Sequence, residues 1–145
     1  MPGPKKFRIA KAAVIFSEDI NKDYSNILEE FSNRYIKYEI AGLSKDFTDQ
    51  ERIEYAQNAK KNGLEVVLVI ADAKDKLPAI ISENCKLPVI FCPVSDNAKS
   101  VPQKILGASS FTTVAINKIN LGVKMALKII AIRDKSLARR LWKNK

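Results

Sequence analysis

The chain has 145 residues, 46% of them hydrophobic and 28% charged, a composition that supports one domain with a buried core and excludes a disordered chain. It contains no histidine, which removes the usual base of nucleophilic triads and the commonest metal ligand. The formal net charge of +9 gathers at the ends, in Lys5, Lys6, Arg8 and Lys11 and in Lys135, Arg139, Arg140, Lys143 and Lys145 against Asp134, so it predicts solvated basic termini rather than a nucleic-acid groove.

Residues 1–8 read as a basic tail, without the apolar stretch of a secretory signal. A first strand is predicted at Ile9–Phe16 (IAKAAVIF), a run with little alternation, as expected of a strand buried on both faces of a parallel sheet. Tyr24, Ile27, Leu28 and Phe31 then carry helical spacing, and a second strand is expected at Tyr38–Leu43. Thr48 and Glu51 have the spacing of a capping box. The helix they open has a narrow stripe of Ile53, Ala56, Ala59 and Lys60, and Asn62-Gly63 stops it, since glycine tolerates the left-handed backbone beyond a helix end. The third strand is expected at Glu65–Ile70, followed by a helix with Leu77-Pro78 in its first turn. Leu87–Val94 and Phe111–Ile116 supply strands four and five. A long apolar helix through Leu121, Met125, Leu127, Ile130 and Ala131 comes next, and a short basic helix begins at Asp134 and occupies residues 134–145.

Alternating strands and helices with short connections predict a three-layer α/β/α domain over residues 1–145, with a flavodoxin-like parallel sheet and a C-terminal helical extension. No run approaches the roughly 20 apolar residues of a membrane span. Cys85 and Cys92 form no C-x-x-C pair and read as free buried thiols of a reducing compartment, so a cytoplasmic location without membrane contact is expected.

Ligands of such sheets bind beyond the carboxyl ends of the strands, which directs attention to four loops: Ser17–Asn21, Ser44–Phe47, Asp72–Lys76 and Ser95–Lys99. The five glycines, Gly3, Gly42, Gly63, Gly107 and Gly122, all lie outside these loops. That argues against a dinucleotide fold or a Walker-type phosphate cradle, which need close backbone approach. A single phosphate could still be held by Ser17, Ser44, Lys45, Lys74 or Lys76 together with helix N-terminal amides; solvated loop tips are the plainer reading of the same residues. Ser17 and Ser44 have no histidine to activate them as nucleophiles, and a Ser–Lys pair through Lys45 is only a formal alternative. Glu18, Asp19, Asp46, Asp72 and Asp75 could meet at a divalent cation, yet helix capping accounts for such residues equally well, so no metal and no cofactor are expected. Glu18, Asp19, Asp72 and Ser95 also resemble, loosely, the acidic pocket of a response-regulator receiver, although Asn117-Lys118-Ile119 departs from the Lys-Pro found there after strand five.

A longer resemblance runs from about Ala12 to Leu141. Its carrying segments are Ala13-Val-Ile-Phe, Tyr55-Ala-x-x-Ala-x-x-Asn62-Gly63-x-x-Val66, Leu77-Pro78, Leu87-Pro-Val-Ile-Phe-Cys-Pro-Val94, Ala115-Ile116-x-Lys118 and Asp134-Lys-x-Leu137-x-x-Arg140-Leu141. In order and spacing these resemble the PurE family, the N5-carboxyaminoimidazole ribonucleotide mutases and aminoimidazole ribonucleotide carboxylases of purine synthesis. The resemblance implies a three-layer α/β/α protein, typically an octamer, whose C-terminal helix packs on neighbouring subunits. Leu137, Leu141 and Trp142 would then be buried in a partner.

The same resemblance implies an altered site. The family's Gly-Ser-x-Ser-Asp loop falls on Ser17-Glu18-Asp19-Ile20-Asn21, with neither family serine in register. Its Ser-Ala-His-Arg-Thr falls on Ser44-Lys45-Asp46-Phe47-Thr48, so that Asp46 replaces a histidine and Phe47 the phosphate-binding arginine. Its Gly-Gly-Ala-Ala-His-Leu-Pro falls on Asp72-Ala73-Lys74-Asp75-Lys76-Leu77-Pro78, with Lys76 in place of the second histidine. The segment between Val94 and Ala115 is also several residues shorter than in the family. Proton exchange by Asp46 would require burial, and lysines at 45 and 76 replace a bidentate guanidinium imperfectly.

These readings set the expectation of a PurE-like protein without mutase or carboxylase activity, serving as a homo-oligomeric scaffold or binding a phosphorylated small molecule such as an aminoimidazole ribonucleotide. Ser17, Asp19, Ser44, Lys45, Asp46, Lys74 and Lys76 are its candidate contacts. The alternative is a divergent enzyme using Asp46 and Lys76 as candidate catalytic residues, which requires both to join Ser44 in a pocket that excludes water. A pure scaffold predicts instead that Phe47 fills the pocket.

Overall fold

The computed structural model describes residues 9–17, 24–43, 46–94, 111–114 and 117–142. Strands β1 (Ala12–Phe16), β2 (Tyr38–Gly42), β3 (Val66–Asp72), β4 (Val89–Val94) and β5 (Thr112–Thr113) alternate with helices α1 (Ser25–Asn33), α2 (Asp49–Asn58) and α3 (Leu77–Asn84). Helices α4 (Ile119–Ala131) and α5 (Lys135–Trp142) follow. All strand pairs are parallel, in the order β2-β1-β3-β4-β5, which is the flavodoxin-like arrangement. β1 lies between β2 and β3, with Ala12 beside both Tyr38 and Val66.

Side chains alternate between two apolar layers, as the pleat requires. Ala12, Val14, Leu68, Ile70, Ile90 and Cys92 face α1, α4 and α5, where Leu28, Phe31, Leu127 and Leu137 complete the packing. Ala13, Ile15, Val67, Val69, Val89 and Phe91 face α2 and α3, meeting Ala56, Leu77 and Ile81. Burial on both faces is why these strands are continuous apolar runs in the sequence.

Several expected boundaries move. Strand one begins at Ala12 rather than Ile9, whose side chain is 64% exposed and lies over Gly63. The second helix ends at Asn58, before the expected stop at Asn62-Gly63; Gly63, with φ +97, closes the turn that follows it, a backbone that favours glycine. Strand three runs on to Asp72, which brings that carboxylate to the sheet edge. Strand four starts at Val89, after Pro88, and strand five is confined to Thr112–Thr113, with 115–116 outside the described residues.

The apolar stripe of α4 is rotated from the expected one. Its buried residues are Ile119, Gly122, Val123, Ala126, Leu127, Ile130 and Ala131, while Leu121 and Met125 are exposed. Gly122 and Ala126 face inward because the helix axis comes close to β4: a Cβ on Gly122 would collide with the Cys92 Sγ. In α2, Ala56 is buried and Ile53 half-buried, while Ala59, buried, and Lys60, in solvent, lie just beyond its end, so the stripe is narrower still than expected.

Candidate functional site

In this strand order the connections after β1 and after β3 leave toward opposite faces, opening a crevice at the carboxyl ends of those two strands. Ser17 stands at that point. Its backbone N–H donates to the Ile70 carbonyl at 3.3 Å, carrying the ladder one residue past β1. The residue is 1% exposed, and its Oγ has no hydrogen-bond partner among the described residues. Beside it, the Leu43 N–H donates to the Phe16 carbonyl at 2.9 Å, so the end of β2 is fastened to the end of β1.

The helix entrances on the α2/α3 face are heavily capped. Thr48 Oγ1 accepts from the Glu51 N–H at 3.1 Å, and the Thr48 N–H donates to Glu51 Oε1 at 2.8 Å, completing the expected box. One residue on, the Arg52 guanidinium donates to the Leu43 carbonyl at 3.0 Å and lies 3.6 Å from Asp49. Sequence reasoning missed Arg52 as part of this edge. Its only sequence signal is a position in the first turn of the helix that follows strand two.

After β3, Asp72 Oδ1 accepts from the Lys74 N–H at 2.9 Å, and Asp75 Oδ1 accepts from the Leu77 N–H at 2.8 Å. The two carboxylates therefore serve a turn and a helix start. Among the described residues no group of three or more Cys, Asp or Glu could hold a metal ion. The receiver-like pocket accordingly finds no support at Asp72, and Glu18, Asp19 and Ser95 lie outside the described residues.

The remaining expected contacts divide. Asp46, Phe47, Lys74 and Lys76 are all exposed. Ser44 and Lys45 lie outside the described residues, as does the Ser95–Lys99 loop. Phe47 is 40% exposed in the single chain. Asp46 and Lys76 are both exposed within the single chain. Asn117, another residue the sequence did not single out, occupies this edge with φ 61 and donates its N–H to the Pro93 carbonyl at 2.9 Å. The Cys92 thiol is buried under α4, where desolvation pushes its pKa up to about 12. It belongs to the core. The described part of the edge thus carries the Ser17 hydroxyl, the Arg52 guanidinium and the exposed Lys74 and Lys76 beside Asp46, Asp49, Glu51, Asp72 and Asp75, with the helix N-termini already capped.

The AIR carboxylase family model matches residues 14–145. The chain is 33% identical over 129 residues to the N5-carboxyaminoimidazole ribonucleotide mutase of Thermotoga maritima, covering 84% of this chain and 73% of that protein. It is 29% identical over 141 residues to the protein of that name in Saccharolobus solfataricus, covering 92% and 89%. Its fold is similar to the crystal structure of Treponema denticola PurE, with a TM-score of 0.71 and 17% identity over 89% of this chain and 85% of that one.

Proposed function

Because the chain belongs to the AIR carboxylase family, the PurE proteins, we propose that it binds a phosphorylated small molecule of the aminoimidazole ribonucleotide class without converting it. One observation carries this reading. The three positions where the resemblance expects the two histidines and the phosphate-gripping arginine hold Asp46, Lys76 and Phe47, and all three are exposed. An exposed carboxylate and ammonium are solvated by water that competes for any proton they would move. Binding makes smaller demands: an anion needs only donors, and the exposed Lys74 and Lys76 would supply them. The proposed protein acts in the cytoplasm as a homo-oligomer, an octamer by family likeness, with basic termini that take no part in the site.

Thermal melting of the purified chain with aminoimidazole ribonucleotide tests the reading, since a ligand that binds the folded state raises the melting temperature by mass action. A rise that grows with ligand concentration is expected. No rise with this nucleotide, ribose 5-phosphate or inorganic phosphate contradicts the proposal.

A further inference from the structure

We propose that the outer edge of β2 is a docking strand for a second copy of this chain, which it pairs antiparallel about a twofold axis at Ile40. The inference is independent of ligand binding and supplies the proposed oligomer with one specific contact. Three observations carry it.

The first is an edge left open. A strand at the side of a sheet shows a row of unpaired N–H and C=O groups, which proteins usually blunt by shortness, proline, bulges or projecting charges. The β5 edge is short, with two residues. β2 has five residues, YEIAG, in unbroken register with β1 and without proline. Its charged side chain, Glu39, is held against α2, where the carboxylate accepts a hydrogen bond from the Tyr55 hydroxyl. Ile40 is 59% exposed on this strand, and among the described residues no further strand pairs with it.

The second is the direction of the backbone groups. The Leu43 N–H donates to the Phe16 carbonyl, and alternate residues of a parallel ladder bond to a given neighbour. Leu43, Ala41 and Glu39 therefore turn their backbone groups to β1. Tyr38, Ile40 and Gly42 turn theirs outward.

The third is self-complementarity. A twofold contact sets one patch against itself, and two identical edge strands related in this way run antiparallel. With the axis at Ile40, this residue faces its own copy and Tyr38 faces Gly42, so every outward N–H and C=O meets a partner. Gly42 obstructs nothing, since a Cβ built there would have no atom within 4 Å. Glu39 falls opposite Ala41. An axis at Glu39 would instead set two carboxylates directly opposite each other, which is destabilising. The two Ile40 side chains share the face of Val14 and Tyr38 and cover each other.

An Ile40→Cys variant tests the contact, in a Cys85→Ser background that removes the half-buried native thiol. Hydrogen-bonded antiparallel pairs hold their Cα atoms about 5.5 Å apart, within reach of a disulfide. Mild oxidation should therefore convert most of the protein to a covalent dimer on a non-reducing gel. Glu39→Cys in the same background should stay mostly unlinked, because pairing with Ala41 holds its two copies beyond that reach. Light scattering gives the mass of the parent in parallel. An oligomeric parent whose Ile40→Cys form does not link overturns the inference and leaves the oligomer intact; the edge then serves another occupant, such as an extended peptide, or none. Equal linking by both cysteine variants overturns it as well, since random encounter would account for both. A parent with the mass of one chain removes this contact and the proposed oligomer together.

Discussion

Gly122 and Cys92 meet where α4 crosses β4, and the fit leaves no room for a methyl group. Gly122→Ala is expected to destabilise the protein by about 1–3 kcal/mol despite the better helix propensity of alanine, because overpacking there has no flexible neighbour to absorb it. Adding Cys92→Ala should recover much of the loss, and a double-mutant cycle by urea denaturation measures the coupling. The same contact explains why the buried stripe of α4 differs from the one its sequence suggests. Leu121 and Met125 look like core residues by size, whereas the close approach to β4 selects glycine and alanine for the inner face, a constraint that lies in another strand 30 residues away. The thiols provide a second prediction. Cys92, raised to about 12, should resist a thiol reagent until the protein unfolds, while the half-buried Cys85 should react in the native state. Cys85 should be slow, because burial raises its pKa and the Leu87 N–H only partly opposes that. Phe47→Arg should tighten binding of the phosphorylated ligand about tenfold, since it returns a bidentate donor to the loop after β2; a titration with ribose 5-phosphate checks it.

At the scale of elements, α5 departs most from expectation. The resemblance put Leu137, Leu141 and Trp142 into a partner subunit, yet Leu137 is fully buried and Leu141 half-buried on the chain's own α1/α4 layer, leaving Trp142 alone exposed. The helix is clamped in place. Arg140 donates to the Arg34 carbonyl at 2.7 Å and lies over the Tyr35 ring at 5.2 Å, and Arg34 donates back to the Arg140 carbonyl at 3.3 Å. At its start, Asp134 Oδ1 accepts from the Leu137 N–H at 2.9 Å and Oδ2 lies 3.3 Å from the Lys11 Nζ. The Leu137 N–H, then Lys11, hold the Asp134 carboxyl below the usual aspartate range. Its contribution is complete above that range and is lost as pH falls through the lowered value. Asp134→Ala should therefore cost about 1 kcal/mol at pH 7, as the loss of a helix cap does, and the gap to the parent should close in acid. Stability measured from pH 7 down to pH 3 checks both halves. The elements themselves were legible because each local signal agreed with the fold: Thr48 with Glu51 capped α2, Gly63 ended its turn, and Pro78 entered α3. The site was less legible. Asp72 and Asp75 look like ligands in a string of residues, and only the geometry assigns them to a turn and a cap, just as only long-range pairing buries Ser17.

For the whole molecule, the fold is the family's, and the proposal concerns its chemistry. A five-stranded parallel sheet with two apolar layers is shared with Treponema denticola PurE at 17% identity, because a buried core asks only for apolar residues at the right period. Carboxyl transfer asks for particular groups at particular places, and a chain with no histidine and with exposed Asp46, Phe47 and Lys76 supplies others. No described helix is long and apolar enough to cross a membrane. The exposed Leu121 and Met125 on α4, and Ile132 just after it, are available for subunit contact in the proposed oligomer. The account's central claim is binding without turnover. Its most direct test follows N5-carboxyaminoimidazole ribonucleotide by NMR in the presence of stoichiometric protein. The prediction is perturbed ligand resonances with carboxyl migration no faster than in buffer; migration accelerated by the protein contradicts it.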